Sequence, residues 1–123
     1  MKWFCPYCWA ELKGDERICP NCGRDIYHFT SLDFDEKLLY GLDNPIPENR
    51  MLVIEVIEKR KNQKAVTKLC SMLSEERDTY ELMAIVKALL SISTKEAIDC
   101  LKHNNFDKNA ILRKFLEDHL NKY

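Results

Sequence analysis

Two C-x2-C pairs stand near the start of the chain, Cys5-Pro-Tyr-Cys8 and, ten residues further on, Cys19-Pro-Asn-Cys22-Gly23. Two residues between thiols let one tight turn point both sulfurs at a single ion. A second such turn then completes a four-coordinate shell suited to tetrahedral Zn2+. Proline after the first cysteine of each pair stiffens the turn, and Gly23 permits the positive φ needed where backbone amides approach the sulfurs. After Cys8 the residue is Trp9 instead. The first turn must therefore either hold tryptophan in a disfavoured conformation or differ from the second. One structural zinc on Cys5, Cys8, Cys19 and Cys22 is the expectation. Four thiolates leave no open position for water, so catalytic zinc is not expected. The competing readings are a redox dithiol or a disulfide pair; a redox C-x-x-C needs a βαβ setting that so short a segment lacks.

The duplicated CPxC motif resembles the short zinc-ribbon modules at prokaryotic N-termini, and the match covers about residues 3–26. The resemblance implies a small β-type ribbon, placed here at residues 1–28. Energetics point the same way. A segment of about 25 residues cannot bury enough apolar area to offset its chain entropy, whereas structural zinc supplies on the order of 10 kcal/mol. Its other charges cancel, with Lys2, Lys13, Arg17 and Arg24 against Glu11, Asp15, Glu16 and Asp25. Four thiolates around one Zn2+ then leave the ribbon negative and repellent to phosphate. Trp3, Phe4, Tyr7 and Trp9 are read as packing around the knuckles or on the first helix, with an exposed partner patch as the alternative.

The rest of the chain reads as helix. Only 3 glycines and 4 prolines occur in 123 residues, too few for a many-turned β fold. Asp33 with Glu36, Asp78 with Glu81 and Ser93 with Glu96 have the spacing of capping boxes, and Pro47 suits a first helical turn. Helices are expected at 33–42, 47–60, 64–74, 79–91, 95–102 and 108–121, after a boundary at 27–32. Very short connections at Lys61-Asn62-Gln63 and Ile92-Ser93-Thr94 force antiparallel hairpins. Shifting the text by 32 residues lays apolar on apolar. Val53, Val56 and Ile57 return as Ile85, Ala88 and Leu89, and Ala65, Val66 and Leu69 return as Ala97, Ile98 and Leu101. A further shift carries Met51 and Met83 to Phe115. One hairpin cannot bury its broad apolar face alone, so successive hairpins are expected to stack.

The stretches NRMLVIEVIEKRKNQKAVTKLCSML and YELMAIVKALLSISTKEAIDCLK resemble HEAT repeats of the short phycobilisome-lyase type, over roughly residues 33–121. Arg60-Lys61-Asn62 and Leu90-Ser91-Ile92 stand where that family usually has alanine and glycine. The resemblance implies a mainly α protein, an α-α solenoid of HEAT-like hairpins over residues 33–123, serving as an interaction scaffold. The ribbon is expected to lid one end of the stack. The last helix, with Glu117, Asp118, His119, Asn121 and Lys122, is expected to cap the other.

Function classes narrow accordingly. Lys and Arg total 19 against 20 acidic residues, a net charge of -1 that disfavours bulk nucleic-acid binding. No run approaches the roughly 20 apolar residues that span a bilayer, and the start breaks into charge before a signal core forms. A cytoplasmic, non-membrane protein is expected. In a reducing compartment six cysteines point to metal rather than disulfides, so Cys70 and Cys100 are read as separate buried thiols. Lys59, Arg60, Lys61, Lys64 and Lys68 are read as a solvated loop, and His28, His103 and His119 as surface histidines. No nucleophile, base and orienting group assemble, and phosphate loops and HExxH are missing. The expected function is a non-enzymatic zinc-binding adaptor with a protein partner. The alternatives are a nucleic-acid- or ribosome-associated factor, or a metal-dependent assembly subunit.

Overall fold

A computed structural model describes residues 2–75, 77–104 and 109–120. The protein is mainly helical, with a small two-stranded sheet at its N-terminus. Its contacts divide it into two compact units, Met1–Val53 and Ile54–Tyr123. Among the described residues, no helix is long and apolar enough to cross a membrane.

In the first unit, β1 (Trp3–Phe4) and β2 (Glu11–Leu12) pair antiparallel, with Trp3 opposite Leu12 and Phe4 opposite Glu11. A single bridge joins Ile18 to Asp25. Between the two, Glu16 closes a turn: its carboxylate accepts the backbone N–H groups of Lys13, Gly14 and Asp15 at 2.8–3.1 Å. Gly14 (φ 114°) is required there, because a Cβ would lie 2.6 Å from Trp3 Cδ1. Residues 27–32, read from the sequence as a boundary, carry the short helix α1 (Ile26–Phe29). Asp25 caps it by accepting from Tyr27 N at 3.0 Å, and Phe29 anchors it by meeting the Tyr7 ring edge-on at 5.7 Å. Helix α2 (Phe34–Gly41) starts at the expected cap, Asp33, whose Oδ1 accepts from Glu36 N at 2.8 Å. Helix α3 (Pro47–Arg60) begins at Pro47, where the missing N–H costs no hydrogen bond.

The second unit holds the C-terminal part of α3, then α4 (Val66–Leu73) led by a 3-10 turn over Gln63–Ala65, α5 (Thr79–Ile92), α6 (Lys95–His103) and α7 (Ala110–Leu120). Helix α5 is central. It packs against α4, α6 and α7, and buries Leu82, Ile85, Val86, Ala88, Leu89, Leu90 and Ile92. The expected helix start at 108 and the polar Asn121 and Lys122 lie outside the described residues.

Local geometry recurs at the 32-residue interval. Lys61 (φ 50°) and Ser93 (φ 58°) both occupy the left-handed region just after a helix. Each is followed by a capping side chain: Asn62 accepts from Lys64 N at 3.1 Å and Thr94 from Ala97 N at 3.2 Å. Ala65, Val66 and Leu69 are buried, and so are Ala97, Ile98 and Leu101. The cap expected at Ser93 is thus taken by Thr94, one residue later. Ser93 is spent on closing α5, with its hydroxyl donating to Leu90 O. Glu96 receives the Thr67 hydroxyl at 3.0 Å. A side chain in the left-handed region costs about 1–2 kcal/mol, while glycine adds chain entropy of about 0.5–1 kcal/mol. Lys61→Gly should therefore raise stability by about 0.5–1 kcal/mol, seen as a higher urea midpoint, and Lys61→Ala should give no such gain.

The structure corrects the reading of Cys70 and Cys100, which form a disulfide between α4 and α6 with Cα atoms 6.2 Å apart. Their separation is 30, two short of the 32-residue interval. Two residues turn a helix by about 200°. Positions two out of register with the repeat therefore present opposite flanks of their helices, and on α4 and α6, which are in contact, those flanks meet.

Candidate metal centre

The four cysteines of the C-x2-C pairs converge. The Sγ atoms of Cys5, Cys8, Cys19 and Cys22 all lie within 4.8 Å of one another, positioned to bind one metal ion. Each turn is built the same way, fourteen residues apart. Trp9 N donates to Cys5 O at 2.9 Å and Gly23 N to Cys19 O at 2.9 Å; Cys5 N donates to Ala10 O at 2.9 Å and Cys19 N to Arg24 O at 3.0 Å. Phe4 pairs with Glu11 and Ile18 with Asp25, in the same relation. The loop thus curls around its first sulfur and turns amides toward it. Tyr7 N approaches Cys5 Sγ at 3.4 Å and Asn21 N approaches Cys19 Sγ at 3.4 Å.

Trp9 takes the first of the two options left open by the sequence. It adopts φ 65°, close to the 77° of Gly23, so the two knuckles match despite its side chain. What offsets the conformational cost is a tertiary bond: the indole Nε1–H donates to Tyr40 O, in α2, at 3.0 Å. Tyr7, also on this knuckle, is buried between Phe29 and Tyr40 with ring centroids 5.7 and 4.9 Å away, both edge-on. Its hydroxyl donates to Asp25 O at 3.3 Å. Trp3 and Phe4 differ, being about half exposed at 52% and 49%. The four N-terminal aromatics therefore divide between shielding the sulfurs and facing solvent.

The donor set fits a tetrahedral ion. A Zn–S bond of about 2.3 Å implies tetrahedron edges of about 3.8 Å; Cys5–Cys22 and Cys8–Cys19 Sγ separations are 3.8 and 3.7 Å. Cys5 and Cys19 are buried. Burial pushes the Cys5 thiol up to about 11. Cys8 moves the other way, down to about 6, chiefly because the Asn21 side-chain amide donates to its sulfur at 3.4 Å. Tyr7 was expected to pack around the knuckles, but Asn21 did not stand out in the sequence as part of the site. The available signal was the middle position of each C-x2-C, where an amide or ring lies beside the sulfurs.

Because a metal takes thiolate, Cys5 must surrender its proton on binding. The affinity for zinc should therefore weaken at least tenfold for each pH unit lowered between pH 8 and 7. Below about pH 6 protonation of Cys8 should steepen the loss. Competition against a chromophoric chelator at several pH values checks this.

The other candidates lie elsewhere. Lys59 pairs with Glu55 at 3.0 Å on α3, and Arg60, Lys64 and Lys68 also have partners. His28 Nδ1 lies 3.4 Å from Ser31 Oγ, while His103 and His119 turn Nδ1 to Asp99 O and Phe115 O at 2.7 and 2.8 Å. Among the described residues, the four cysteines are the only group of three or more metal-ligating side chains. Comparison with family models, curated proteins and solved structures finds no match to this chain.

Proposed function

We propose that this chain is a non-enzymatic zinc-binding adaptor: one structural Zn2+ organises the N-terminal ribbon, and a run of HEAT-like helical hairpins receives a protein partner. The observation that carries the zinc half is the close agreement of the sulfur separations with a tetrahedral zinc shell. A closed shell of four thiolates has no place for a substrate or a water, which suits a structural ion. The hairpin half draws support from the recurrence at 32 residues of the left-handed residue, the capping side chain and the buried triplet. Repeats of this kind offer extended surfaces rather than deep pockets, which favours binding over catalysis.

Elemental analysis of protein made under reducing conditions should return one zinc per chain, and much less would remove the ribbon reading. Affinity purification from the source cells should then yield a protein that is lost when the helical surface is altered. An empty pull-down with the zinc form would count strongly against the adaptor. RNA mobility shifts should stay flat from about 50 to 200 mM salt; a salt-dependent shift would transfer the assignment to a nucleic-acid factor.

A further inference from the structure

We infer that Cys70 and Cys100 are a reversible thiol switch, a disulfide that forms and opens by exchange with a small-molecule disulfide such as glutathione disulfide while the ribbon keeps its metal. The chain presents its six cysteines in two chemical states: four free thiols gathered in one cluster, and two joined across α4 and α6. The bridge shares no cysteine with the cluster, so it can open and close while the four sulfurs of the cluster keep their metal.

Position supports exchange. Cys70 and Cys100 are each half-buried, at the seam of two helices rather than inside the core, so an attacking thiolate can reach the sulfur. The fold beneath does not need the bond. Leu69, Met72 and Leu73 of α4 and Ala97, Ile98 and Leu101 of α6 are buried, and Thr67 donates to Glu96 at 3.0 Å across the same seam. Opening the bridge leaves those contacts in place with the two thiols adjacent, ready to close again.

The exchange balances as follows. One cysteine thiolate attacks a sulfur of glutathione disulfide, forming a mixed disulfide and expelling one glutathione thiolate. The second cysteine thiolate then attacks the protein sulfur of that mixed disulfide and expels the other. Two protein thiols become one S–S bond, the disulfide reagent gains two electrons, and the two protons leave on two glutathione thiols. The closed form pins a 30-residue stretch containing all of α5. It thereby ties one helical pair to the next and restricts the unfolded chain.

The test uses the full-length zinc-loaded protein, equilibrated in glutathione buffers from fully reduced to fully oxidised, then acid-quenched, alkylated and weighed by mass spectrometry. The expected result is a smooth two-cysteine transition, mapped by peptide analysis to Cys70 and Cys100, with zinc content unchanged. The melting temperature of the oxidised form should lie on the order of 10 °C above that of the reduced form. Cys70→Ser and Cys100→Ser should each abolish that difference; if either fails to fold, the wild-type titration still decides. The inference is overturned if the bond withstands excess reduced glutathione in the folded protein. It is equally overturned if the bond never forms at the oxidised extreme, or forms only as zinc is released. The zinc content and the mapped peptides separate this failure from failure of the ribbon reading.

Discussion

Stripping the metal with a strong chelator should unfold the N-terminal ribbon while the helices of the second unit persist. The ribbon's sheet is two residues long on each strand, and its buried set is Cys5, Tyr7 and Cys19. Two of those three are cysteines positioned to bind the metal ion, so a bound ion would make up most of the core of this segment. Removing an ion worth on the order of 10 kcal/mol leaves too little apolar burial to hold the chain. Both tryptophans of the protein, Trp3 and Trp9, lie in this segment, which makes their fluorescence a local reporter. As the indole of Trp9 loses Tyr40 O, emission should shift to the red, with little change in helical circular dichroism. Cys19→Ser should reproduce the metal-free spectrum in the presence of zinc. Tryptophan emission indifferent to chelation would mean that the ribbon is organised by something other than an ion.

The second large effect is expected at Leu89, at the heart of α5. Leu89 is fully buried, and so is Ile57, the residue 32 positions earlier. Leu89→Ala deletes three carbon atoms from a site whose neighbours can only partly collapse, and should cost about 3 kcal/mol. That is a large share of the total stability of a domain this size. Leu52, on α3, is the control: it is 61% exposed, and Leu52→Ala should change stability by no more than about 0.5 kcal/mol. Urea denaturation followed by circular dichroism measures both. Equal effects at the two leucines would mean that the buried set of α5 is misassigned.

Much of this was legible in the sequence where one residue type has one physical job. Thiols at C-x2-C spacing have little else to do, and the four sulfurs meet. Asp33 and Asp78 cap α2 and α5 and Pro47 opens α3, because caps depend only on neighbours along the chain. Long-range choices were harder to read. Ser93 and Thr94 both carry hydroxyls able to cap α6, and which of them does so is settled by the need to end α5 in the left-handed region. The same conformation at Lys61 was hidden because neither position is glycine, the usual marker. α1 escaped notice because four residues are too few to show a helical period, and Phe29 holds it through ring contacts with Tyr7 and Tyr40. The Cys70–Cys100 bond was not legible because residue type and compartment say nothing of which helix flanks face each other.

The two knuckles share a backbone but not their side chains, and that inequality has a consequence. A head with twofold symmetry would have two indistinguishable ways to settle on α2. Tyr7 and Trp9 on one knuckle, against Asn21 and Gly23 on the other, remove the degeneracy, since only the first can fill the space beside Tyr40 and reach its carbonyl. Duplication thus supplies an economical cage for the ion, and its deliberate imperfection tells the cage which way up to sit.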